Sequence, residues 1–439
     1  MGLKTFDRGV HPAYCKEQTA GKKIELAALP KTVIIALSQH AGVICEPLVK
    51  KGDVVTEGQK IGDVKAFISA PVHASISGKV KEVDLHLSPS GAKVLSVVID
   101  GDGLSKDWGA VTQKDVQSLS GEAIREAVRE CGIVGMGGAA FPTYVKLAPP
   151  KGRAIDTVIL NGCECEPYLT ADHRVMVEYP EKVVCGLQAI MKATNAKDGV
   201  ICIEDNKPDA IEALRKVSST KGVVIAVVAS KYPQGAEKML IKAVLGRKVP
   251  VGKLPPDVGV VVNNVGTAVA VYEALTFDKP LIDRVVTISG EVREPKNLLV
   301  RIGTSFEEVV AQCGGLKASE SRVLNGGPMM GVAQVNLSVP VVKGTSGITV
   351  LDQAGSKPLR IDPCIRCARC VEACPMALMP YRLGDQGRMQ MLDGFSQWGG
   401  FSCIECGCCS YVCPSKRPLL EWIRVAKFKS RKAQKAKSA

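Results

Sequence analysis

Eight cysteines near the carboxyl end of the chain repeat one spacing twice. Cys364, Cys367, Cys370 and Cys374 are followed by Pro375, and Cys403, Cys406, Cys409 and Cys413 by Pro414. Each run reads C-x-x-C-x-x-C-x-x-x-C-P. Three thiolates at that spacing let a short loop wrap three corners of a 4Fe-4S cubane while backbone N–H groups turn toward its sulfides, and the fourth thiolate must come from elsewhere. A zinc site takes separated cysteine pairs, and a disulfide framework belongs to small secreted chains, so neither matches this pattern. Cys408 is left over, because Cys409 is the neighbour that keeps the interval from Cys406.

In two-cluster ferredoxins the last Cys of each run ligates the other cluster. On that pattern Cys364, Cys367 and Cys370 go with Cys413, and Cys403, Cys406 and Cys409 with Cys374. Electrons must reach two such clusters from somewhere, and three sites upstream have suitable chemistry. The first is Gly135-Met136-Gly137-Gly138-Ala139-Ala140-Phe141-Pro142-Thr143, a glycine-rich loop whose N–H groups can approach a phosphate unobstructed. It lacks the Gly-Lys-Ser/Thr of a P-loop and follows a helix instead of a strand, so its alternative reading is a plain turn. The second, Asn161-Gly162-Cys163-Glu164-Cys165-Glu166-Pro167, follows a strand and puts Glu164 and Glu166 where ribose hydroxyls are commonly read; an exposed acidic turn is the bland alternative. The third, Val262-Asn263-Asn264-Val265-Gly266-Thr267, ends a strand and opens a helix, where Asn and Thr serve either as caps or as donors to a ligand.

Positioning these sites requires several domains, and 439 residues allow about three. With 46% hydrophobic and 23% charged residues the chain is ordinary for a globular protein, while 4% aromatics argues against base-stacking on single-stranded nucleic acid. No apolar run reaches the length of a membrane span, and the start of the chain has no apolar signal core. Seventeen cysteines without such a signal imply a reducing compartment. The net charge of +13 is local: nine basic residues and one acid follow Pro414, so +8 of it lies in the last twenty-five residues.

Residues 1–115 read as short strands with Gly-Asp punctuation and form a β domain. The run from Gly52 through Ala70-Pro71 to Val80 resembles a biotinyl/lipoyl-type barrel-sandwich, but Lys65 stands too close to Ala70 to be presented on a hairpin tip, so the domain is expected to be unmodified. Residues 116–280 alternate strands with helices and predict an α/β domain with a largely parallel sheet. Strands are expected at Asp156–Leu160, Gly199–Glu204, Val223–Ala229 and Val258–Asn263, the third fully buried, and helices at Glu122–Cys131, Glu181–Ala193, Pro208–Val217 and Ala236–Leu245. A smaller unit at 281–345 has strand Val285–Gly290 and helix Ser305–Cys313. The loop Asn325–Gly331 has no assignment. A cluster domain at 355–420 precedes a basic tail, 421–439, in which an apolar helix start runs into Lys427, Lys429, Arg431, Lys432, Lys435 and Lys437. Such a tail can hold a protein to an anionic membrane face or simply be solvated.

The three upstream sites together resemble the NADH- and FMN-binding flavoprotein subunit of respiratory complex I. The resemblance rests on Phe141, Pro142, Thr143 and Lys146; on Glu164, Glu166 and Pro167; and on Asn263, Asn264, Val265 and Thr267. Cys163 departs from it, standing where aspartate is usual, and so does His173, where arginine is usual. The resemblance implies noncovalent FMN, with Gly135, Gly137, Gly138, Lys146, Asn161, Glu164, Glu166, Asn263, Asn264 and Thr267 as cofactor contacts and Glu164, Glu166 and Lys146 as candidate catalytic residues. Residues 281–345 resemble the β-grasp module that follows the flavin domain in that family.

The whole order, barrel-sandwich, flavin α/β domain, β-grasp and dicluster ferredoxin, resembles the C subunit of Rnf ion-translocating electron-transport complexes. That family implies a peripheral subunit on the cytoplasmic face of the cell membrane. It exchanges electrons with NAD(H) through FMN and passes them over two 4Fe-4S clusters to integral membrane subunits and a ferredoxin-like subunit, with no nucleic acid partner. A stand-alone flavin reductase resembling cobalamin reductase is one rival, and an electron-transfer scaffold with a dead flavin site is another.

Overall fold

The computed structural model describes residues 3–110, 116–149, 152–218, 222–319, 321–352 and 360–438. The boundaries expected at 115 and 355 fall outside these residues.

Strand β1 is Ile24–Leu26. The barrel-sandwich uses β2 (Thr32–Ala36), β3 (Glu46–Pro47), β4 (Val54–Val55), β5 (Lys60–Asp63), β6 (Val72–His73), β7 (Gly78–Leu87) and β8 (Lys93–Gly101). They form two sheets, β2-β8-β7-β4 and β3-β5-β6. Alternate residues turn inward, so Val33, Ile35, Ile61, Val72, Val80, Val97 and Ile99 make one core between the sheets. Lys65 is exposed in the bend after β5.

The α/β domain begins at α1 (Gly121–Glu130), capped by Ser120 accepting from the Ala123 N–H. It continues with α2 (Thr143–Lys146), β9 (Thr157–Gly162), α3 (Ala171–Glu178), α4 (Pro180–Thr194), β10 (Asp198–Glu204), α5 (Pro208–Ser218), β11 (Val223–Val228), α6 (Glu237–Leu245), β12 (Val260–Asn264) and α7 (Val265–Phe277). The expected elements are all present, shifted by one or two residues. The sheet is parallel, in the order β11-β10-β9-β12. Val158, Leu160, Ile201 and Ile203 face α1, α4, α5 and α7. Ile159, Val200, Cys202, Val260 and Val262 face α6. The period of two thus gives each face of the sheet its own helical layer. Strand β11 corrects the expectation of a fully buried strand: it is the sheet edge, and Val224 is 60% exposed.

The β-grasp unit has β13 (Asp283–Gly290), β14 (Lys296–Arg301), α8 (Phe306–Ala311), β15 (Arg322–Asn325), β16 (Val332–Ala333) and β17 (Gly347–Leu351), in the sheet order β1-β14-β13-β17-β15-β16. Strand β17 carries the unit past the expected boundary at 345, because it pairs in parallel with β13 at the centre of the sheet.

The segment before β2 does not join the barrel, contrary to the expected domain start. Lys4 bridges Val228 at the β11 edge, Val10 pairs with Tyr232, Gly9 N–H donates to the Ala373 carbonyl of the cluster domain, and β1 adds to β14. Residues 3–26 therefore strap three units together; unpaired strand edges offer the hydrogen bonds, and the strap takes them.

Helix Leu419–Ser438 covers the cluster domain. The expected tail is thus a docked helix at least as far as Ser430: Ile423, Ala426 and Ser430 are buried, and Lys427 donates to the Cys403 carbonyl and to Glu405 at 2.7 Å each.

Helices α4 and α7 cross at Gly186, where a Cβ would stand 2.1 Å from the Ala268 carbonyl oxygen. Gly186→Ala is expected to force the helices apart and cost ~1–3 kcal/mol, read as a lowered Tm with unchanged iron content.

Candidate functional site

In the parallel sheet the order of connection reverses at β9: the chain moves outward to β10 and β11, then returns to place β12 on the other side. Ligands in open α/β sheets bind beyond the carboxyl ends of strands at such a reversal. Asn161 ends β9 and Asn263 and Asn264 end β12, so two of the three sequence sites meet at this crevice.

The glycine-rich loop closes over it. Met136 N–H donates to Thr267 Oγ1 at 3.0 Å, and Asn264 caps α7 by accepting from the Gly266 and Thr267 N–H groups. Gly137 is pressed against the Asn264 side chain, where a Cβ would come within 2.8 Å of Nδ2. Gly135 and Gly138 are free of such pressure: a Cβ on Gly138 would meet nothing within 4 Å, leaving open space in front of the loop. Asn161 Nδ2 donates to the Gly235 carbonyl at 2.9 Å and its Oδ1 accepts from Cys163 N–H. Lys146 Nζ donates to the Val262 carbonyl at 2.7 Å and pairs with Glu237 at 3.1 Å, at the end of β12. Asn263 is 4% exposed, and neither Nδ2 nor Oδ1 has a partner. An orphaned buried amide at a sheet reversal fits a ligand with its own polar edge, as flavin has.

The acidic segment is anchored by backbone donors. Both Glu164 carboxylate oxygens accept from α3, from Asp172 N–H at 2.7 Å and His173 N–H at 3.1 Å. Glu166 Oε1 accepts from Met329 N–H at 2.6 Å and Met330 N–H at 3.0 Å, which gives the loop Asn325–Gly331 its place. Each carboxylate accepts from backbone donors, because a helix start and a tight loop both leave N–H groups unpaired, and Glu166 also bonds the Tyr232 side chain. Burial raises Glu166 above the ordinary carboxylate range, opposed by those two N–H groups. Neither departure from the complex I pattern faces the crevice: Cys163 is fully buried beside Cys202, and His173 turns to Asp209 at 2.7 Å.

Two lysines hold this segment. Lys16, 8% exposed, donates to the carbonyls of Glu164, Glu166 and Leu169 at 2.8, 3.0 and 2.5 Å. Lys207 donates to the Cys163 carbonyl at 2.6 Å and pairs with Glu204 at 3.1 Å. Sequence reasoning missed Lys16 because its partners lie some 150 residues away. It also missed Tyr232-Pro233-Gln234-Gly235, although turn residues directly after a strand at the sheet's carboxyl edge are a readable signal.

Tyr232 joins the crevice to the cysteines. It is 1% exposed, its hydroxyl donates to the Cys406 carbonyl at 2.7 Å, and it packs with Val10, Met329, Cys406 and Cys408. Gly235 N–H donates to Cys165 Sγ at 3.4 Å. A cavity of about 590 Å³ is walled by Cys364, Cys367, Cys370 and Cys413, which brings together three members of the first run and the last of the second. Cys374 packs on the other side, near enough to Cys403, Cys406 and Cys409 to act on them electrostatically. Among the described residues no three His, Cys, Asp or Glu converge as a site for a single metal ion, and cysteines spread around a cavity suit a cluster better. Cys364 and Cys367 are exposed, whereas Cys406 and Cys409 are buried.

Four family models match in series: the RnfC barrel sandwich hybrid domain at 4–104, the Nuo51 FMN-binding domain at 128–273, the SLBB domain at 285–333 and the 4Fe-4S dicluster domain at 359–414. The C subunit of the proton-translocating ferredoxin:NAD(+) oxidoreductase complex of Clostridium ljungdahlii is 47% identical over 100% of this chain and 96% of its own. Its Na(+)-translocating counterpart in Acetobacterium woodii is 46% identical over 96% of each. The chain belongs to the family of Rnf-complex C subunits. Another member, from the ion-translocating oxidoreductase complex of Rhodobacter capsulatus, is 42% identical over 98% of this chain and 84% of its own. Among solved structures, an NAD+-reducing [NiFe]-hydrogenase in the H2-reduced state covers 75% of this chain with a TM-score of 0.53 at 19% identity, and 65% of that chain is covered, a likeness of fold alone.

Lys16→Met is expected to leave three buried carbonyls without a donor and cost about 3 kcal/mol or more. Urea unfolding should shift to lower midpoint and bound FMN should fall, while Lys23→Met, an exposed lysine on the same segment, should change neither.

Proposed function

We propose that this chain is the NAD(H)-side electron-transfer subunit of a membrane-bound, ion-translocating ferredoxin:NAD oxidoreductase complex. One observation carries the reading: a flavin-type crevice and a two-cluster cysteine array share one packed interior, joined at Tyr232.

The Gly135–Ala139 loop would take the FMN phosphate, since a Cβ at Gly138 meets nothing within 4 Å and backbone N–H groups of such a loop favour an anion. The Asn263 amide, unpartnered and buried, would meet the polar edge of the ring. FMN, when bound, turns a two-electron hydride into single electrons. Lys146 and Glu237 face the same opening, and Glu164 and Glu166 act as supports that fix α3 and the Met329 loop beside it.

Cys364, Cys367, Cys370 and Cys413 would hold one 4Fe-4S cluster, and Cys403, Cys406, Cys409 and Cys374 the other. The second group lies against Tyr232 and Met329 and would receive electrons first. The first group, with Cys364 and Cys367 exposed, would hand them on. Its exposed rim of Ile361, Ile365, Arg366 and Met389 suits a protein partner, which we take to be the integral membrane and ferredoxin-like subunits of the complex.

Attachment would be peripheral, at the cytoplasmic face. Among the described residues no helix is long and apolar enough to cross a membrane. Helix Leu419–Ser438 keeps Val425, Phe428, Lys429, Arg431 and Lys432 on its exposed side, an apolar and basic face suited to an anionic surface. A stand-alone reductase would have no use for that face.

Cys406→Ala is expected to remove one cluster and stop transfer to partners, while NADH still bleaches the flavin in anaerobic stopped-flow absorbance. Gly138→Leu has space for its side chain, so the fold should survive and FMN content fall; dithionite should still reduce its clusters. Rapid cluster reduction by NADH in that flavin-free variant would overturn the flavin as entry point.

Replacing Lys429, Arg431 and Lys432 by Glu should release the chain from anionic vesicles at low salt with cofactors intact, just as added salt should release the parent protein. Truncation after Val425 is a poorer test, because it also removes Ala426 and Lys427, which support the Cys403 loop.

A further inference from the structure

A cavity of about 300 Å³ lies directly behind the glycine-rich loop, between α3, α7 and the start of β13. Met136, Gly266 and Asp172 line it at the loop, and Tyr179, Lys182, Glu273 and Lys279 line it farther along α7. Lys182 pairs with Glu273 at 2.6 Å and is 31% exposed, so that part reaches solvent. A cavity of this size, with polar groups at both ends and Val175, Val269, Ala270 and Leu281 between them, has room for water anchored at those ends.

Asp172 is the acid nearest the loop. Its Oδ2 accepts from Asn264 Nδ2 at 2.6 Å, and the same Asn264 side chain backs Gly137. Glu164 binds the Asp172 N–H, so two carboxyl groups share one small volume. Arg284 faces them from β13 and Lys16 from the amino-terminal strap, while His173 on the same helix is engaged by Asp209. Burial and the Glu164 charge push Asp172 up to about 7, a value at which a carboxyl group can both take and release a proton at neutral pH.

The reaction demands such a group. NADH surrenders a hydride, which is two electrons and one proton. The clusters accept electrons singly and carry no proton, so one proton per NADH stays at the flavin and must leave for a base. We propose that Asp172, held in place by the Asn264 amide and reached through cavity water, is the acceptor of that proton and passes it along α7 toward Lys182 and Glu273; in the reverse direction it supplies the proton. This rests on the flavin reading above and assigns a proton outlet separate from the path of the electrons toward Tyr232.

The test uses the full chain with FMN and both clusters. In single turnover, NADH first bleaches the flavin, and electrons then leave to an artificial acceptor as the flavin recovers. Flavin recovery should slow as pH falls through about 7, because Asp172 then already holds a proton. Asp172→Asn should keep FMN and its bleaching by NADH, slow recovery roughly tenfold or more, delay proton release to an indicator dye by the same factor, and flatten the pH profile. Asp172→Glu should keep a pH-dependent recovery with a displaced midpoint. Unchanged recovery and pH profile in Asp172→Asn would overturn the proposal; if that variant does not fold, an undisplaced midpoint in Asp172→Glu does so. A parent chain that binds no FMN or is not bleached by NADH would instead overturn the flavin reading itself.

Discussion

The buried ammonium of Lys16 holds the electron-transfer site in shape. Removing a charge from water is costly, and burial pulls Lys16 below the ordinary lysine range, opposed by the Glu164 carboxylate. The cost is met by three carbonyl acceptors, which belong to the turn carrying Glu164 and Glu166. With that turn fixed, Glu164 points at the start of α3 and Glu166 at the Met329 loop. The Met329 loop in turn packs on Cys406, and a Cβ at Gly407 would stand 2.5 Å from the Met329 carbonyl. One amino-terminal side chain thereby sets the distance between the flavin crevice and a cysteine loop.

That chain of contacts explains why residues 3–26 are not part of the barrel they precede. Electron transfer between cofactors requires fixed separation, and domains joined only by linkers move by default. The strap makes hydrogen bonds with the α/β, cluster and β-grasp units in succession. Lys343 does the same at the barrel, donating to the carbonyls of Pro71 and Gly132 at 2.7 Å each. Buried lysines at both junctions bind backbone oxygen and not carboxylate, which leaves the neighbouring acids free for other donors.

Local chemistry was legible in the sequence and long-range chemistry was not. The cysteine runs, the strands and helices of the α/β domain, and the residues at the ends of β9 and β12 all follow from spacing and periodicity within a few residues. What failed depended on partners far along the chain. Residues Val223–Val228 read as fully buried because they are uniformly apolar, yet sheet order makes them an edge. Glu164 and Glu166 read as free acids because nothing local shows that distant N–H groups will claim them. Lys427 read as part of a tail that is either membrane-facing or solvated, because the Cys403 carbonyl it binds lies 24 residues earlier.

The same distinction separates the two directions in which charge must leave the crevice. Toward Tyr232 the packing is close: Val10, Met329, Ala373 and the cysteines surround the Tyr232 hydroxyl, which donates to the Cys406 carbonyl, and the buried Glu166 carboxylate lies against the same side chain. Toward α7 there is volume, with Asp172 at one end, Lys182, Glu273 and Lys279 at the other, and apolar walls from Val175, Val269 and Leu281 between. Close packing leaves a migrating proton little water to carry it, and the Glu166 carboxylate is held by the Met329 and Met330 N–H groups. A cavity large enough for water, with titratable groups at its ends, provides both water and side chains to carry the charge. The fold thus places an electron-conducting face and a proton-conducting face on opposite sides of one glycine-rich loop, and Asn264, touching Gly137 on one side and Asp172 on the other, stands at the boundary between them.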